Sequence, residues 1–214
     1  LGAKKISTDL KLIDYYNSSY KIKNLDLIES YTFFQLDANT NNFFRIFKIE
    51  DPSAVPNDSK IQNSKTKVSN QSTDESSDMS YSIDNFSLTN AVLDYTDNLT
   101  GVPFNYHLSS IKIDCNNISN TAKWLSIYST MLLNNRGTLK AELGIDPNNY
   151  FNTTLDVSVE KFLLPDLNIY TNYYMGHSIL KGDMYYITKS KIINGKIESE
   201  NKLLVKNASL ENTR

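Results

Sequence analysis

The sequence predicts a mainly β protein: an antiparallel meander of long strands building one sheet with one apolar face, plus a short helix near residues 164–174. Three observations carry this. From residue 81 onward, apolar and polar residues alternate with period two through most of the chain, which sends successive side chains to opposite faces of a strand. Turn-forming clusters recur at roughly ten-residue spacing, the rhythm of a meander. Asn194-Gly195 sits in the middle of the longest alternating stretch, 176–210. Asn-Gly is a strong hairpin signal, because a type I′ turn needs positive φ at both central residues.

That hairpin sets the pattern. After its turn, Ile197, Ser199, Asn201, Leu203 and Val205 share one face, and Lys196, Glu198, Glu200, Lys202 and Lys206 take or flank the other. Such a strand has one dry and one wet side. Arms of about ten or more residues give a hairpin of roughly 30–40 Å at about 3.3 Å per residue.

From the N-terminus, residues 6–49 read as short strands. Leu10 and Leu12 share parity, as do Tyr20 and Ile22, Leu25 and Leu27, and Tyr31 and Phe33. The changes of parity between these pairs imply turns or bulges. Residues 37–42 form a turn by composition. The run 43–49 (FFRIFKI) is apolar on both faces, and its periodicity fits a buried strand and a short helix alike. Residues 51–80 hold almost no apolar side chains. They bury too little surface to offset their ordering entropy and read as a flexible polar loop or linker. Asp74, Glu75 and Asp78 lie in this stretch without the spacing of a calcium loop.

From Tyr81 the strand signal is regular. Phe86 and Leu88 share a face; the phase slips after Thr89-Asn90, and Ala91, Leu93 and Tyr95 share one. Phe104, Tyr106 and Leu108 alternate, Ser109-Ser110 shifts the phase, and Ile111, Ile113 and Cys115 alternate. Residues 124–133 form a mixed strand and 134–137 a hairpin turn. Leu139, Ala141, Leu143 and Ile145 then alternate, as do Phe151, Thr153, Leu155, Val157 and Val159 beyond a turn at 146–149. The run 164–174 (LPDLNIYTNYY) is the one helix, with Pro165 or Asp166 near its start, placed to cover an end of the sheet. The chain thus divides into a short-strand region of the sheet over 1–50, the polar loop over 51–80 and the regular sheet over 81–214.

Composition excludes more than it assigns. The net charge of −2 and pI near 5.7 provide no basic field, so a nucleic-acid partner is not expected. Cys115 is the single cysteine, so no intrachain disulfide forms; its place on the Ile111–Ile113 face makes it a small buried hydrophobe. No apolar run reaches the roughly 18–20 residues of a membrane helix. The chain begins at Leu1 without a signal peptide, as a soluble piece of something longer would.

Several runs resemble the periplasmic repeat of AsmA-like bacterial envelope proteins. They are Tyr174-Met175-Gly176, Ile179 to Gly182, Ile192-Ile193-Asn194-Gly195-Lys196-Ile197, and Glu200 to Leu203. The stretch 81–97 is similar to an earlier motif of that family, two strands ending in an aromatic residue and an Asp. Residues 7–49 are similar, more weakly, to its N-terminal strands. The resemblance rests on turns and strand faces. It implies a curved, taco-like sheet lined with apolar residues that handles phospholipid or another acyl-chain lipid between membranes and maintains the outer membrane. It also implies a periplasmic location, the remaining segments of a longer parent protein, and an inner-membrane tether by an N-terminal helix absent from this chain. The groove of such a sheet would be walled by Leu139, Leu143, Leu155, Val157, Val159, Ile197, Leu203 and Val205.

Catalytic signatures are not found. His107 and His177 have no Cys, Asp or Glu at metal-ligand spacing, and no nucleophile elbow, phosphate loop or dinucleotide fingerprint occurs. Asp84, Asp94, Asp97, Asp114, Asp146, Asp156 and Asp183 are scattered over wet faces and turns. A carboxylate pair assembled in space for glycoside hydrolysis is the less favoured reading. The expectation is a non-enzymatic protein without cofactor or metal. The competing expectation is a β-sandwich binding or adhesion module that recognises glycans with exposed Tyr and Trp, and a third is a ligand-free scaffold segment.

Overall fold

The structure is a computed structural model that describes residues 2–47 and 79–212. The loop expected over 51–80 therefore lies outside the described residues, save that Ser80 opens a strand. The described elements are β1 (Gly2–Asp14), β2 (Ser19–Asp37), β3 (Thr40–Asn41), α1 (Asn42–Phe47), β4 (Ser80–Asp97), β5 (Phe104–Ser119), β6 (Leu125–Leu133), β7 (Gly137–Ile145) and β8 (Thr153–Leu163). A 3₁₀ turn (Leu164–Leu167) leads into α2 (Asn168–Met175), followed by β9 (His177–Ile193) and β10 (Lys196–Asn212). The strands form one open sheet in the order β1-β2-β4-β5-β6-β7-β8-β9-β10, with β3 hydrogen-bonded to β2.

The protein is mainly β, with the expected helix at its expected place. Two finer expectations change, and one left open is decided. The sheet is mixed: β2 and β4 are parallel, from Ser19 beside Ser80 to Leu36 beside Asp97. A parallel neighbour requires a connection that returns to the starting end of the sheet, and residues 38–79 span that interval. Residues 6–49 are not short strands, since β1 has 13 residues and β2 has 19. For the run at 43–49, whose pattern fitted a strand and a short helix alike, the described residues 43–47 belong to the helix α1, none of whose residues is buried.

The parity changes are bulges. Positive φ occurs at Glu29 (52°), Asn90 (58°), Ser110 (49°), Lys161 (54°), Gly182 (146°) and Asn207 (54°). Register shifts accompany them between β4 and β5, β5 and β6, β8 and β9, and β9 and β10. In the parallel pair, Glu29 and Asn90 bulge together and the register resumes unchanged. A bulge bends its strand and increases local twist, so this row bends the sheet along a line crossing most of its strands. Bulging also lets strands run on past a phase break. β9 and β10, of 17 residues each, extend about 56 Å at about 3.3 Å per residue, beyond the length expected for the hairpin. Their turn is the expected one, with Asn194 at φ 49° and Gly195 at φ 77°.

Cross-strand partners share a face, so the register defines rows. One runs Leu25, Phe86, Cys115, Ile127, Leu143, Leu155 from β2 to β8. The next runs Leu27, Leu88, Ile113, Ser129, Ala141, Val157. The opposite face carries Tyr128, Glu142, Asp156, Lys189 and Glu200 in one row. One face is thus apolar and the other polar.

Beyond the bulges the apolar face is covered. Phe34, Tyr95, Phe104, Tyr106 and Phe162 form a chain of ring contacts with centroids 5.5–6.2 Å apart. Phe43 of α1 joins through Phe34 at 5.5 Å, and Tyr170 of α2 through Phe104 at 5.1 Å. Tyr170 also donates a 2.7 Å hydrogen bond to Asp97, whose other carboxylate oxygen accepts the Leu99 N–H at 2.7 Å. Asp97 is buried, and these bonds supply the partners that a buried carboxylate requires. The Tyr106 hydroxyl is buried with no partner at bonding distance. Burial first, and the nearby Asp166 carboxylate second, push its pKa up. Among the described residues no second sheet covers the remainder of the apolar face, and no large side chain is fully enclosed. The packed pair of sheets that a β-sandwich needs is not present among them.

Candidate functional site

The register places all eight candidate residues on the apolar face. Leu139 lies opposite Val159 and Leu143 opposite Leu155, while Val157 faces Ala141. Across β9 and β10, Tyr186 joins Val159 to Leu203, Met184 pairs Val205, and Ile192 pairs Ile197. Their surroundings differ. Val159 is buried, Leu139, Leu143 and Val157 are partly buried, and Ile197 and Leu203 are 70% and 64% exposed. β10 is an edge strand, so its side chains have neighbours on one side only.

The apolar surface is not continuous. In the two central rows, Leu155 and Val157 face Ser190 and Thr188 on β9, which face Ser199 and Asn201 on β10. These side chains form a hydrogen-bonded ladder: Thr188 to Ser190 at 3.1 Å, Ser190 to Ser199 at 2.8 Å, Asn201 to Ser199 at 3.0 Å and Tyr186 to Asn201 at 2.7 Å. The five candidates on β7 and β8 therefore form one patch. Of the three on β10, Leu203 connects to it through Tyr186, which pairs Val159, whereas Ile197 pairs Ile192, whose partner on β8 is Thr153. Ser199 and Asn201 were visible on this face in the sequence, and the two-residue turn at Asn194-Gly195 pairs them with Ser190 and Thr188 without a bulge; the pairing of β9 with β8, which sets this ladder beside Leu155 and Val157, was not visible.

Concavities of about 360, 520, 370 and 450 Å³ open mainly on the polar face. The first lies over Tyr128, Lys140, Glu142, Asp156 and Lys189, with Val157 among its flanking residues. The third holds the most organised polar cluster. His107 and Asp94 are directly opposite on β5 and β4, and His107 Nδ1 lies 2.6 Å from Asp94 Oδ1, its N–H donating to the carboxylate. Tyr31 of β2 lines the same concavity, with its phenol near this carboxylate. The bond from His107 holds the Asp94 carboxyl below its ordinary range, and the nearby Asp94 carboxylate raises the Tyr31 phenol. The cluster pairs an imidazole with an orienting carboxylate, and among the described residues no Ser, Thr or Cys is hydrogen-bonded to His107 as the hydroxyl or thiol of a base-activated triad would be. Among the described residues no group of three His, Cys, Asp or Glu side chains is placed to hold a metal ion. Burial pushes the Cys115 thiol up, away from the reactive thiolate.

The fold and its faces define a class: an open, single-layer, mixed β-sheet with one apolar side. No protein-family model, curated protein or solved structure matches the chain.

Proposed function

We propose that this chain is a non-enzymatic segment of an AsmA-like periplasmic envelope protein, and that its apolar sheet face holds acyl chains of phospholipids being handled between membranes. The observation that carries the reading is the incompletely covered apolar surface over Ile127, Leu143, Leu155 and Val157, continued past buried Val159 through Tyr186 to Leu203 and Val205. Surfaces of this kind on monomers beyond a few hundred Å² mark interaction sites. Each methylene buried contributes about 0.8 kcal/mol, so an acyl chain laid along these rows is held without headgroup recognition. The hydroxyl ladder on β9 and β10 gives the surface a polar margin. A tether in the inner membrane and a role in outer-membrane maintenance belong to the same reading and rest on the resemblance of the turn motifs.

The test is native mass spectrometry of the purified chain for co-purified lipid, together with binding of a fluorescent acyl-chain probe to wild type and Val157→Asp. Bound lipid that is lost in a folded Val157→Asp protein supports the reading. A wild-type chain that takes up neither lipid nor detergent overturns it.

A further inference from the structure

The concavity of about 520 Å³ beside Trp124 lies on the polar face, at the end of the sheet where the β5–β6, β7–β8 and β9–β10 connections meet. We propose that it is a binding site for a pyranose unit of a glycan, independent of the acyl-chain surface on the opposite face.

The first support is the seating of the indole. A methyl group at Gly144 would lie 2.5 Å from Trp124 Cζ2, 2.9 Å from Cε2 and 2.4 Å from Thr154 Oγ1. Only glycine leaves that space, so the six-membered ring settles against the sheet backbone. Trp124 nevertheless keeps 44% of its surface exposed. The result is a fixed aromatic surface open to solvent, the kind of platform on which the C–H face of a sugar ring packs against the electron-rich face of an aromatic ring.

The second support is a set of uncommitted polar groups around that platform. Among the described residues, Trp124 Nε1–H, the Thr154 hydroxyl and the Lys191 ammonium have no protein hydrogen-bond or ion-pair partner. Asn152 is held by its Oδ1, which accepts the Asn194 N–H at 3.1 Å, leaving its amide nitrogen free. Asp146 Oδ1 accepts the Asn148 N–H at 2.9 Å, leaving Oδ2 free. Donors and acceptors are therefore both on offer, as vicinal hydroxyls require. The one carboxylate and one ammonium balance in charge, which disfavours a polyanionic ligand. An acyl chain would strip water from these groups without replacing its hydrogen bonds, at a cost. The volume falls within the roughly 300–1,000 Å³ of small-ligand sites.

Trp124 is the only tryptophan, so its emission reports on this site alone. The experiment titrates the full chain with chitotetraose, maltotetraose and galactotetraose up to about 10 mM, a range that captures millimolar dissociation constants. The expected result is a saturable change in emission with at least one of them. By calorimetry, Trp124→Phe should retain binding and Trp124→Ala should lose it. Asn152→Ala and Lys191→Ala should each raise the dissociation constant about tenfold or more, with circular dichroism and acyl-probe binding unchanged. No binding of any of the three sugars, or binding that the Asn152 and Lys191 variants leave unaltered, overturns the proposal. Neither result bears on whether the opposite face takes lipid.

Discussion

Val157→Asp separates an open apolar face from a covered one. Val157 is partly buried between Ala141 of β7 and Thr188 of β9. Full burial of a Val side chain is worth about 1.5–3 kcal/mol, so losing a partly buried one costs about 1–2 kcal/mol. Replacing a β-branched residue by Asp in a strand costs about 1 kcal/mol more. On an open face the carboxylate keeps its water and no charge-burial penalty arises. The sum is about 2–3 kcal/mol. If a layer covered the site, an unpaired buried carboxylate would carry the loss past about 4–5 kcal/mol, the range of the most severe single substitutions. Urea denaturation followed by circular dichroism measures the difference, with the slope checked for constancy so that the shift in midpoint reports stability. Val157→Ala, expected at about 1 kcal/mol, calibrates the packing contribution. A Val157→Asp protein that fails to fold in the absence of urea, while Val157→Ala folds, would refute the open-face argument.

Three further outcomes follow from the geometry. Tyr170→Phe removes the 2.7 Å bond to buried Asp97 and should cost about 1.5–3 kcal/mol, the range for a hydrogen bond to a charged group; a loss below about 0.5 kcal/mol in the same denaturation assay would mean that α2 is held by ring packing alone. Gly195→Val places a β-branched residue at φ 77° with open space around its Cβ, so strain alone should destabilise the hairpin by about 1–2 kcal/mol, and an unchanged melting curve would contradict the turn. Asp94 has a folded pKa below its usual 3.8, chiefly through the bond from His107. Its contribution is therefore present above that value and lost as pH falls through the lowered one. The stability gap between wild type and Asp94→Asn should narrow below about pH 3.8, and a gap that stays constant through acid would show that the His107 bond does not favour the folded state.

Local chemistry alone determined much of this protein. Asn194-Gly195 dictates a turn wherever it sits, because the φ requirement is a property of two residues. The alternation through 139–145 and 153–159 dictates strands with one apolar side. The phase slips at Thr89-Asn90 and Ser109-Ser110 dictate bulges, since an extra residue is the simplest way to return apolar side chains to one face. These signals need no knowledge of neighbours. The pairing of β2 with β4 in parallel did need it: the order of strands is set by how the chain returns after residue 37, and a polar stretch such as 51–80 carries no apolar pattern that records its path. The partners of Asp94 and Asp97 lie 13 and 73 residues away, at His107 and Tyr170, so no spacing rule finds them. The same holds for the candidate face. Strand parity placed the eight apolar residues together and the Asn194-Gly195 turn pairs Thr188 and Ser190 with Asn201 and Ser199, but only the docking of β9 against β8 set that polar ladder beside Val157 and Leu155 and so divided the surface. Likewise only the tertiary arrangement laid Trp124 over Gly144, twenty residues further along the chain and on another strand, because a glycine's missing side chain becomes a binding feature when something else occupies the space.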